Sequence, residues 1–197
     1  MGFLAAFRFS SWFVASYPHF IETGTGEGGS LAYASEHPFA DLTSIEWHRE
    51  RWRAAKMRFG EDERITLYPG PSLLHLRRID PKVGTLFWLD AHFPYGDTED
   101  APVFDEAEVR LPLAVELETI RKRWPAPYCI LVDDLRIYAD LPWHDGPLPE
   151  HLRAHVPIEV RTLDFLYGFP DHHVSIDYRH AGYAVIVPKG MPRPEPV

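Results

Sequence analysis

Cysteine is almost absent from this sequence. Cys129 is the only one among 197 residues, so an internal disulfide is excluded and a reducing compartment is favoured. Long apolar runs are absent too, because no stretch approaches the roughly 20 consecutive apolar residues that span a bilayer. The apolar opening MGFLAAFRFSSWFVASYP is interrupted by Arg8 and serines and has no clear cleavage site, so we expect no signal peptide. These features predict a cytoplasmic protein without a membrane partner.

An excess of basic charge and internal repeats are also absent. The net charge is −9, which argues against a surface that follows nucleic-acid phosphates. The hydrophobic fraction of 45% is enough for a substantial core. We expect one domain over residues 1–187, with a helical extension over 1–18, and a flexible proline-rich tail over 188–197. The sequence does not define the oligomeric state, and a homodimer is compatible with it.

Short apolar strands alternate with helical stretches along the chain, which predicts an α/β fold with a mainly parallel sheet covered by helices. TLFWLD and YCILVD show no polar alternation, as expected for strands buried on both faces. A final pair of strands around the turn Arg179-His180-Ala181-Gly182 predicts a hairpin. The predicted strands are His19–Glu22, Leu42–Glu46, Ile65–Tyr68, Thr85–Asp90, Tyr128–Asp133, Val174–Tyr178 and Tyr183–Val187. The predicted helices are Leu31–Glu36, Trp47–Phe59, Ser72–Ile79 and Leu113–Arg123.

A glycine-rich segment, ETGTGEGGS over residues 22–30, lies between the first predicted strand and the following helix. Glycines let the backbone approach a ligand closely, and a helix start offers free N–H groups to an anionic group. Gly24, Gly26 and Gly29 also satisfy the dinucleotide-binding pattern. Glu46 ends the second predicted strand, where a carboxylate can accept both ribose hydroxyls of an adenosine cofactor. These features indicate a nucleoside cofactor without distinguishing S-adenosylmethionine from NAD.

Three features favour S-adenosylmethionine. Glu22 directly precedes the glycines, where an acid can face an ammonium group and would repel a pyrophosphate. About 18 residues precede the first strand, and a hairpin follows five alternating strands. In these features the chain resembles the class I methyltransferases over about Phe20 to Val187. The resemblance implies a Rossmann-like three-layer sandwich whose seven-stranded sheet has the order 3-2-1-4-5-7-6.

Acidic residues follow two neighbouring strands: Asp90 ends the fourth, and Asp133 and Asp134 end the fifth. Because ligands bind at the carboxyl ends of parallel strands, three carboxylates should crowd near the cofactor. Such close like charges need a cation or a proton to offset them, and carboxylate oxygens suit Mg²⁺ or Mn²⁺. His92 could be a fourth ligand or the base that takes the acceptor's proton.

This arrangement resembles the metal-dependent O-methyltransferases of the catechol and antibiotic-sugar types. The resemblance implies that Asp90, Asp133 and Asp134 bind a divalent cation, and that Asp90 and His92 take part in catalysis. Glu22, Gly24 and Ser30 would hold the methionine end of the cofactor and Glu46 its ribose, while Trp47 could cover the adenine. The full expected cofactor-binding set is Glu22, Gly24, Thr25, Gly26, Gly28, Ser30, Glu46, Trp47, Ser72 and Asp90.

The sequence also departs from that family. Gly70-Pro71-Ser72 follows the third strand, where the family usually has Gly-Asp and the aspartate lies near the adenine amine. Phe93 stands where the catechol enzymes have a lysine base. The longer segment over residues 93–110 is acidic, which is typical of a solvated loop and also compatible with a lid or an extra metal ligand. His172-His173 and Trp143-His144-Asp145 are more typical of loops than of an acceptor pocket.

The sequence therefore predicts an S-adenosylmethionine-dependent methyltransferase acting on a hydroxyl of a small-molecule acceptor with help from a divalent cation. N-methylation stays open, as does different chemistry on the same fold. One alternative is an NAD(P)-dependent oxidoreductase, although Tyr138 and Tyr178 lack the lysine four residues on that many such enzymes use. The other is a non-catalytic module that binds the cofactor.

Overall fold

A seven-stranded β-sheet forms the centre of the computed structural model, which describes residues 4–92 and 110–197. Two further strands, β1 (Phe7–Arg8) and β9 (Glu195–Pro196), form a separate small sheet. The strands of the central sheet are β2 (His19–Thr23), β3 (Asp41–Glu46), β4 (Ile65–Pro69), β5 (Thr85–Leu89), β6 (Tyr128–Val132), β7 (His172–Asp177) and β8 (Tyr183–Pro188).

The strands of the central sheet lie in the order β4-β3-β2-β5-β6-β8-β7. Strands β2 to β6 pair in parallel, and β8 runs antiparallel between β6 and β7. Counted from β2 as the first strand, this is the order 3-2-1-4-5-7-6, so the predicted fold class is confirmed. In this register Glu22 on β2 lies between Ser44 on β3 and Trp88 on β5.

Helices cover both faces of the sheet. On β5, Phe87 and Leu89 face one apolar cluster, while Leu86 and Trp88 face the other. This arrangement explains why β5 and β6 show no polar alternation, because both of their faces are buried. The α-helices of the described residues are α1 (Ser11–Ser16), α2 (Gly29–Ser35), α3 (Arg49–Phe59), α4 (Ser72–Leu76), α5 (Leu113–Arg123) and α6 (Glu150–Arg153). Helices α4 and α5 contribute to the first cluster, and α2 and α3 to the second.

Helix boundaries differ from the predictions where a cap decides them. Helix α3 begins at Arg49 rather than Trp47, because the His48 ring nitrogen accepts a hydrogen bond from the Arg51 N–H and caps the helix. Helix α4 ends at Leu76, three residues before its predicted end. Helix α5 has its predicted bounds.

The two ends of the chain meet. Phe7 and Arg8 pair with Pro196 and Glu195, and Arg179 donates a 2.6 Å hydrogen bond to the carbonyl oxygen of Val197. Within the N-terminal extension, α1 covers six residues and a 3₁₀ turn covers Leu4–Ala6. The helical extension and the flexible tail stay predictions.

Among the residues that the structure describes, the longest helices are α3 and α5, with 11 residues each. Within residues 4–92 and 110–197, no helix has the length and apolar character required to cross a bilayer.

Candidate functional site

The carboxyl ends of the parallel strands form one continuous edge. The residue after a strand donates its backbone N–H to a neighbouring strand and so extends the hydrogen-bond ladder by one step. These bonds run from Gly24 to Ile45 (2.9 Å), from Gly70 to Glu46 (2.9 Å), from Asp90 to Thr23 (3.0 Å) and from Asp133 to Leu89 (3.1 Å). The segments that carry the predicted site residues are therefore fixed side by side.

The turn after β2 passes very close to the segment after β5. Gly24 has a φ of +81°, and a Cβ atom there would lie 2.3 Å from the carbonyl oxygen of Asp90 and 3.0 Å from Cα of Ala91. Only a residue without a side chain fits this approach. The glycine pattern at this position thus has a packing reason that does not depend on any ligand.

Glu22 lies beneath the glycine turn and is completely buried. Its Oε2 accepts a hydrogen bond from the Ser44 hydroxyl, and Oε1 has no hydrogen-bond partner among the described residues. Burial raises the pKa of Glu22 to about 8; the charge of Glu46 adds to this effect and the Ser44 bond opposes it. A buried, incompletely paired carboxyl group costs stability and is suited to a cationic partner.

Glu46, at the end of β3, is also completely buried and binds the glycine turn directly. Its Oε2 accepts from the Gly26 N–H and its Oε1 from the His48 N–H, both at 2.8 Å. Burial raises the pKa of Glu46 although both bonds lower it. The predicted ribose acceptor therefore also holds the turn in place.

We expect Glu46→Gln to destabilise the turn, because an amide has one acceptor atom and cannot serve both N–H donors. The loss should be about 1–3 kcal/mol in the free energy of unfolding, the cost of an unpaired buried donor. Urea denaturation would measure it. Glu50→Gln, an exposed residue on the adjoining helix, is the control and should change stability by less than about 0.5 kcal/mol. Equal stabilities of the two variants would contradict this role.

The other residues of the glycine turn have distinct surroundings. The Thr25 hydroxyl lies 2.5 Å from that of Ser44, which links the turn to β3. Gly28 precedes α2 and packs against the Phe59 ring. Ser30 Oγ accepts a hydrogen bond from the Leu4 N–H at 3.3 Å, so its hydroxyl contacts the N-terminal segment. A direct role for Ser30 in cofactor binding stays a prediction.

A small pocket opens beside the glycine turn. It lies between the ends of β3 and β4 and the segment after β5. Trp47 and Ser72, both predicted to contact the cofactor, lie in its wall. Its full lining is Gly24, Ile45, Trp47, Gly70, Pro71, Ser72 and Ala91.

The predicted acidic cluster is close enough to interact strongly. Burial and the charges of Asp133, Asp134 and Glu22 raise the pKa of Asp90 well above its usual range. Burial and the charge of Asp134 do the same for the pKa of Asp133, which is almost completely buried. Asp133 Oδ1 accepts a 2.7 Å bond from the Asp134 N–H, while Asp134 Oδ1 has no hydrogen-bond partner among the described residues. This edge of the sheet therefore strongly favours a positive charge or bound protons.

The acidic cluster does not form a metal site as it stands. Over residues 4–92 and 110–197, no three acidic, histidine or cysteine side chains are arranged so that they could hold one metal ion. One oxygen of Asp133 is already bonded to backbone, and His92 is turned towards protein groups. The described residues thus do not fit a three-carboxylate metal centre.

His92 is buried beneath the acidic cluster. Its Nε2 lies 3.0 Å from the carbonyl oxygen of Asp133, and its Nδ1 lies 3.4 Å from the Tyr138 hydroxyl. Burial lowers the pKa of His92. Because a carbonyl can only accept, Nε2 carries the proton and the Nδ1 lone pair faces Tyr138. Direct proton abstraction by His92 stays a prediction, and this geometry does not favour it.

Sequence reasoning missed one residue at this edge. Glu116, on α5, is completely buried, and neither of its carboxylate oxygens has a hydrogen-bond partner among the described residues. Burial raises the pKa of Glu116 to about 7, and the hydroxyls of Ser72 and Thr23 oppose this effect. Its position on the apolar side of α5, beside Leu113 and Leu117, was the available signal.

Of the remaining predicted residues, two histidines lie away from the candidate site. His172 and His173 begin β7 rather than lying in a loop, and β7 starts at the opposite edge of the sheet, where His172 stacks on Tyr128 at 4.8 Å. Trp143 is buried against the hairpin turn, with its ring beside Gly182. Residues 93–109 of the acidic segment, with their predicted lid or ligand role, lie outside the described residues.

The comparisons with known proteins identify the fold. No protein-family model and no curated protein matches the sequence. Among solved structures, the S-adenosylhomocysteine-bound methyltransferase PaMTH1 from Podospora anserina superposes with a TM-score of 0.62 and 20% identity, over 91% of this chain and 77% of that one. An O-methyltransferase from Bacillus cereus in complex with S-adenosylhomocysteine gives 0.60 and 12%, over 90% and 76%.

A Staphylococcus aureus protein assigned as a caffeoyl-CoA O-methyltransferase gives a TM-score of 0.56 and 18% identity, over 86% of this chain and 75% of that one. Identities this low establish a shared fold and leave the reaction to be argued from the site. The chain has the three-layer fold of the class I S-adenosylmethionine-dependent methyltransferases.

Proposed function

We propose that this protein is an S-adenosylmethionine-dependent methyltransferase that acts on a small-molecule acceptor. The observation that carries the proposal is the set of interacting carboxyl groups, Glu22, Asp90 and Asp133, against the glycine turn. S-Adenosylhomocysteine in two structures of the same fold supports the choice of cofactor.

The electrostatics of the edge favour this cofactor over a dinucleotide. S-Adenosylmethionine carries an ammonium and a sulfonium, and both would offset the repulsion that raises the pKa of Asp90. A pyrophosphate would add two negative charges beside the same groups. The position of Glu46 at the end of β3 and of Trp47 in the adjoining pocket supports contacts of Glu46 with the ribose and of Trp47 with the base.

The reaction follows from the charges. An oxygen of the acceptor attacks the methyl carbon in line with the C–S bond, which breaks and leaves its electron pair on sulfur. The sulfonium becomes a neutral thioether, and the acceptor hydroxyl loses a proton. In the same step the carboxyl cluster loses the positive charge that offset its own, so the raised pKa of Asp90 favours uptake of the proton. We assign the proton uptake to Asp90 because its side chain is partly exposed. Much of the rate comes from alignment of the two reactants.

The hydroxyl acceptor and the divalent cation are the finer parts of the proposal. Resemblance to O-methyltransferases supports the oxygen. The proposal of a divalent cation rests on that resemblance alone, because the described residues do not form a set of metal ligands. An ion would lower the pKa of a chelated hydroxyl and orient it.

A thermal-shift matrix tests the proposal. S-Adenosylmethionine, S-adenosylhomocysteine, NADH, Mg²⁺ and Mn²⁺ are added singly and together, with EDTA as the metal-free arm. We expect either adenosyl compound, at 100 times its Kd, to raise Tm by roughly 5–10 °C. NADH should have no effect, because its pyrophosphate is repelled by the carboxyl cluster.

Each alternative has its own outcome in this matrix. Stabilisation by NADH alone would contradict the proposal and support an oxidoreductase. Binding of S-adenosylmethionine without formation of S-adenosylhomocysteine across a panel of catechols, other alcohols and amines would indicate a non-catalytic module. If Mg²⁺ or Mn²⁺ strengthens S-adenosylhomocysteine binding and EDTA reverses this effect, the result would support a divalent cation. An identical response with EDTA present would exclude the cation from the proposal.

A further inference from the structure

A second cavity lies on the face of the sheet that α4 and α5 cover, towards the amino-terminal ends of the strands. Its volume is about 490 Å³, which is within the range of small-molecule sites. Its lining includes His19, Asp41 and Thr85, the first residues of β2, β3 and β5. The glycine turn begins at the other end of β2, and the smaller pocket beside that turn shares no lining residue with this one. The sheet-face cavity, as we call it, is therefore a separate site.

A short helix leaves this part of the sheet uncovered. Ile21, Thr43 and Thr66 lie side by side on three neighbouring strands and line the cavity. Helix α4, on the same face, has five residues, whereas α3 on the opposite face has 11. Thr43 is only partly buried and Thr66 is exposed. These hydroxyl-bearing positions are suited to contact with solvent or a ligand rather than with a packed helix.

Two carboxylates and two permanent cations line the sheet-face cavity, and one of each is already paired. Asp41 Oδ2 accepts a 2.7 Å hydrogen bond from Lys82 Nζ and lies 2.8 Å from Nδ1 of His19. Arg78 and Asp80 lie on the exposed segment after α4, and their side chains have no hydrogen bond or ion pair within the described part of the chain. The cavity thus offers one cation and one anion, two residues apart, to a ligand.

Apolar surface lies beside these two charges. Tyr68 and Ile79 pack against the core with one side and line the cavity, and both stay partly exposed. The Tyr68 ring is fixed by a stack on His75, with 4.9 Å between the ring centres and 25° between the ring planes. An aromatic ring gains from packing on a tyrosine ring beyond the area that it buries. A matching ligand therefore combines a ring with two adjoining charges of opposite sign.

We propose that the sheet-face cavity binds an α-amino acid with an aromatic side chain, through Arg78, Asp80 and Tyr68. The Arg78 guanidinium donates two parallel hydrogen bonds to the carboxylate, and Asp80 accepts from the ammonium group. One carbon joins these two groups of an α-amino acid, which matches opposite charges that lie two residues apart on one segment. A phosphate or nucleotide would instead add negative charge beside Asp41 and Asp80. The inference uses none of the cofactor-binding residues and does not depend on the proposed function.

Calorimetric titration of the 197-residue chain without cofactor tests the ligand class. The probes are L-phenylalanine, L-tyrosine and L-tryptophan. Three analogues of L-phenylalanine each lack one group: 3-phenylpropionate lacks the ammonium, 2-phenylethylamine the carboxylate and L-alanine the ring. We expect at least one aromatic amino acid to bind with a Kd below about 1 mM, and each analogue to bind at least about tenfold more weakly than L-phenylalanine.

Two variants test the assigned contacts. Arg78→Gln should weaken L-phenylalanine binding by roughly tenfold or more, because the charged partner of the carboxylate is lost. Asp80→Asn should weaken L-phenylalanine binding to a similar degree but leave 3-phenylpropionate binding unchanged, because this analogue has no ammonium group. Arg77→Gln is the matched control, since Arg77 is an exposed neighbour outside the cavity lining, and it should keep the wild-type Kd. All three side chains are exposed, so the variants should keep the wild-type Tm.

Three outcomes would overturn the inference. The first is that none of the aromatic amino acids binds at concentrations up to about 10 mM. The second is binding that neither Arg78→Gln nor Asp80→Asn weakens, because the ligand would then lie elsewhere. The third is that 3-phenylpropionate binds as tightly as L-phenylalanine, because the cavity would then be a site for anions rather than for amino acids. Since no adenosyl compound is present, these results are independent of the thermal-shift matrix that tests the proposed function.

Discussion

Glu22→Gln is expected to weaken S-adenosylmethionine binding by at least about tenfold while raising the Tm of the ligand-free protein. Glu22 is completely buried with one oxygen unpaired, and its charge repels that of Asp90. Removing the charge relieves this repulsion, so the folded state gains stability. The same change removes an interaction with the cationic ends of the cofactor. Stability and binding should therefore change in opposite directions.

The effect of Glu22→Gln depends on pH, and its sign follows from linkage. The pKa of Glu22 is about 8 in the folded chain and 4.5 without the fold, so the folded state keeps a proton that the unfolded state loses between these values. Wild-type stability therefore contains a contribution that falls as pH rises from 4.5 to about 8. Glu22→Gln lacks this contribution, so its advantage in Tm should be larger at pH 8.5 than at pH 6. Affinity of the wild type for S-adenosylmethionine should increase over the same range, because ionised carboxylates bind the cation.

Thermal denaturation and calorimetric titration at the two pH values measure both effects. Glu27→Gln is the matched control, since Glu27 is an exposed residue of the same glycine turn. It should leave Tm and Kd close to those of the wild type. A Glu22→Gln variant that binds S-adenosylmethionine as tightly as the wild type at pH 8.5 would show that Glu22 does not interact with the cofactor.

Gly24→Ala should be the most destabilising single change in the glycine turn. Its new Cβ would lie 2.3 Å from the Asp90 carbonyl oxygen and 2.7 Å from the Asp90 carbonyl carbon. These backbone atoms cannot move freely, because the Asp90 N–H is bonded to the Thr23 carbonyl. Overlap and the positive φ together should cost about 3 kcal/mol or more, which corresponds to a fall in Tm of roughly 6–12 °C. Any remaining folded protein should lose stabilisation by S-adenosylhomocysteine.

Gly26→Ala separates overlap from backbone conformation. Gly26 also has a positive φ, +54°, but a Cβ there would have nothing within 4 Å. Only the conformational cost applies, about 1 kcal/mol, with a Tm decrease of no more than roughly 4 °C. Similar losses in the two variants would mean that the close approach of Gly24 to Asp90 does not limit stability.

Much of the fold could be predicted because the pattern and the packing agree. Strands β5 and β6 lack polar alternation and so require cover on both faces, and the final hairpin fixes one antiparallel strand beside parallel ones. The exact helix start at Arg49 could not be predicted, because it depends on which nitrogen of His48 faces the Arg51 N–H. The paired C-terminus was equally inaccessible, since its partner Phe7 lies at the other end of the chain.

The sequence by itself determined the residue types at the ends of the strands: glycines after β2, Glu46 as the last residue of β3, and aspartates after β5 and β6. Local spacing is enough for this, because strand ends are set by nearby residues. Only the tertiary structure decided how these groups meet. It directs Ser30 towards Leu4, turns His92 towards Tyr138 and buries Glu116 completely. Side-chain direction and burial depend on contacts between distant segments, which no local pattern contains.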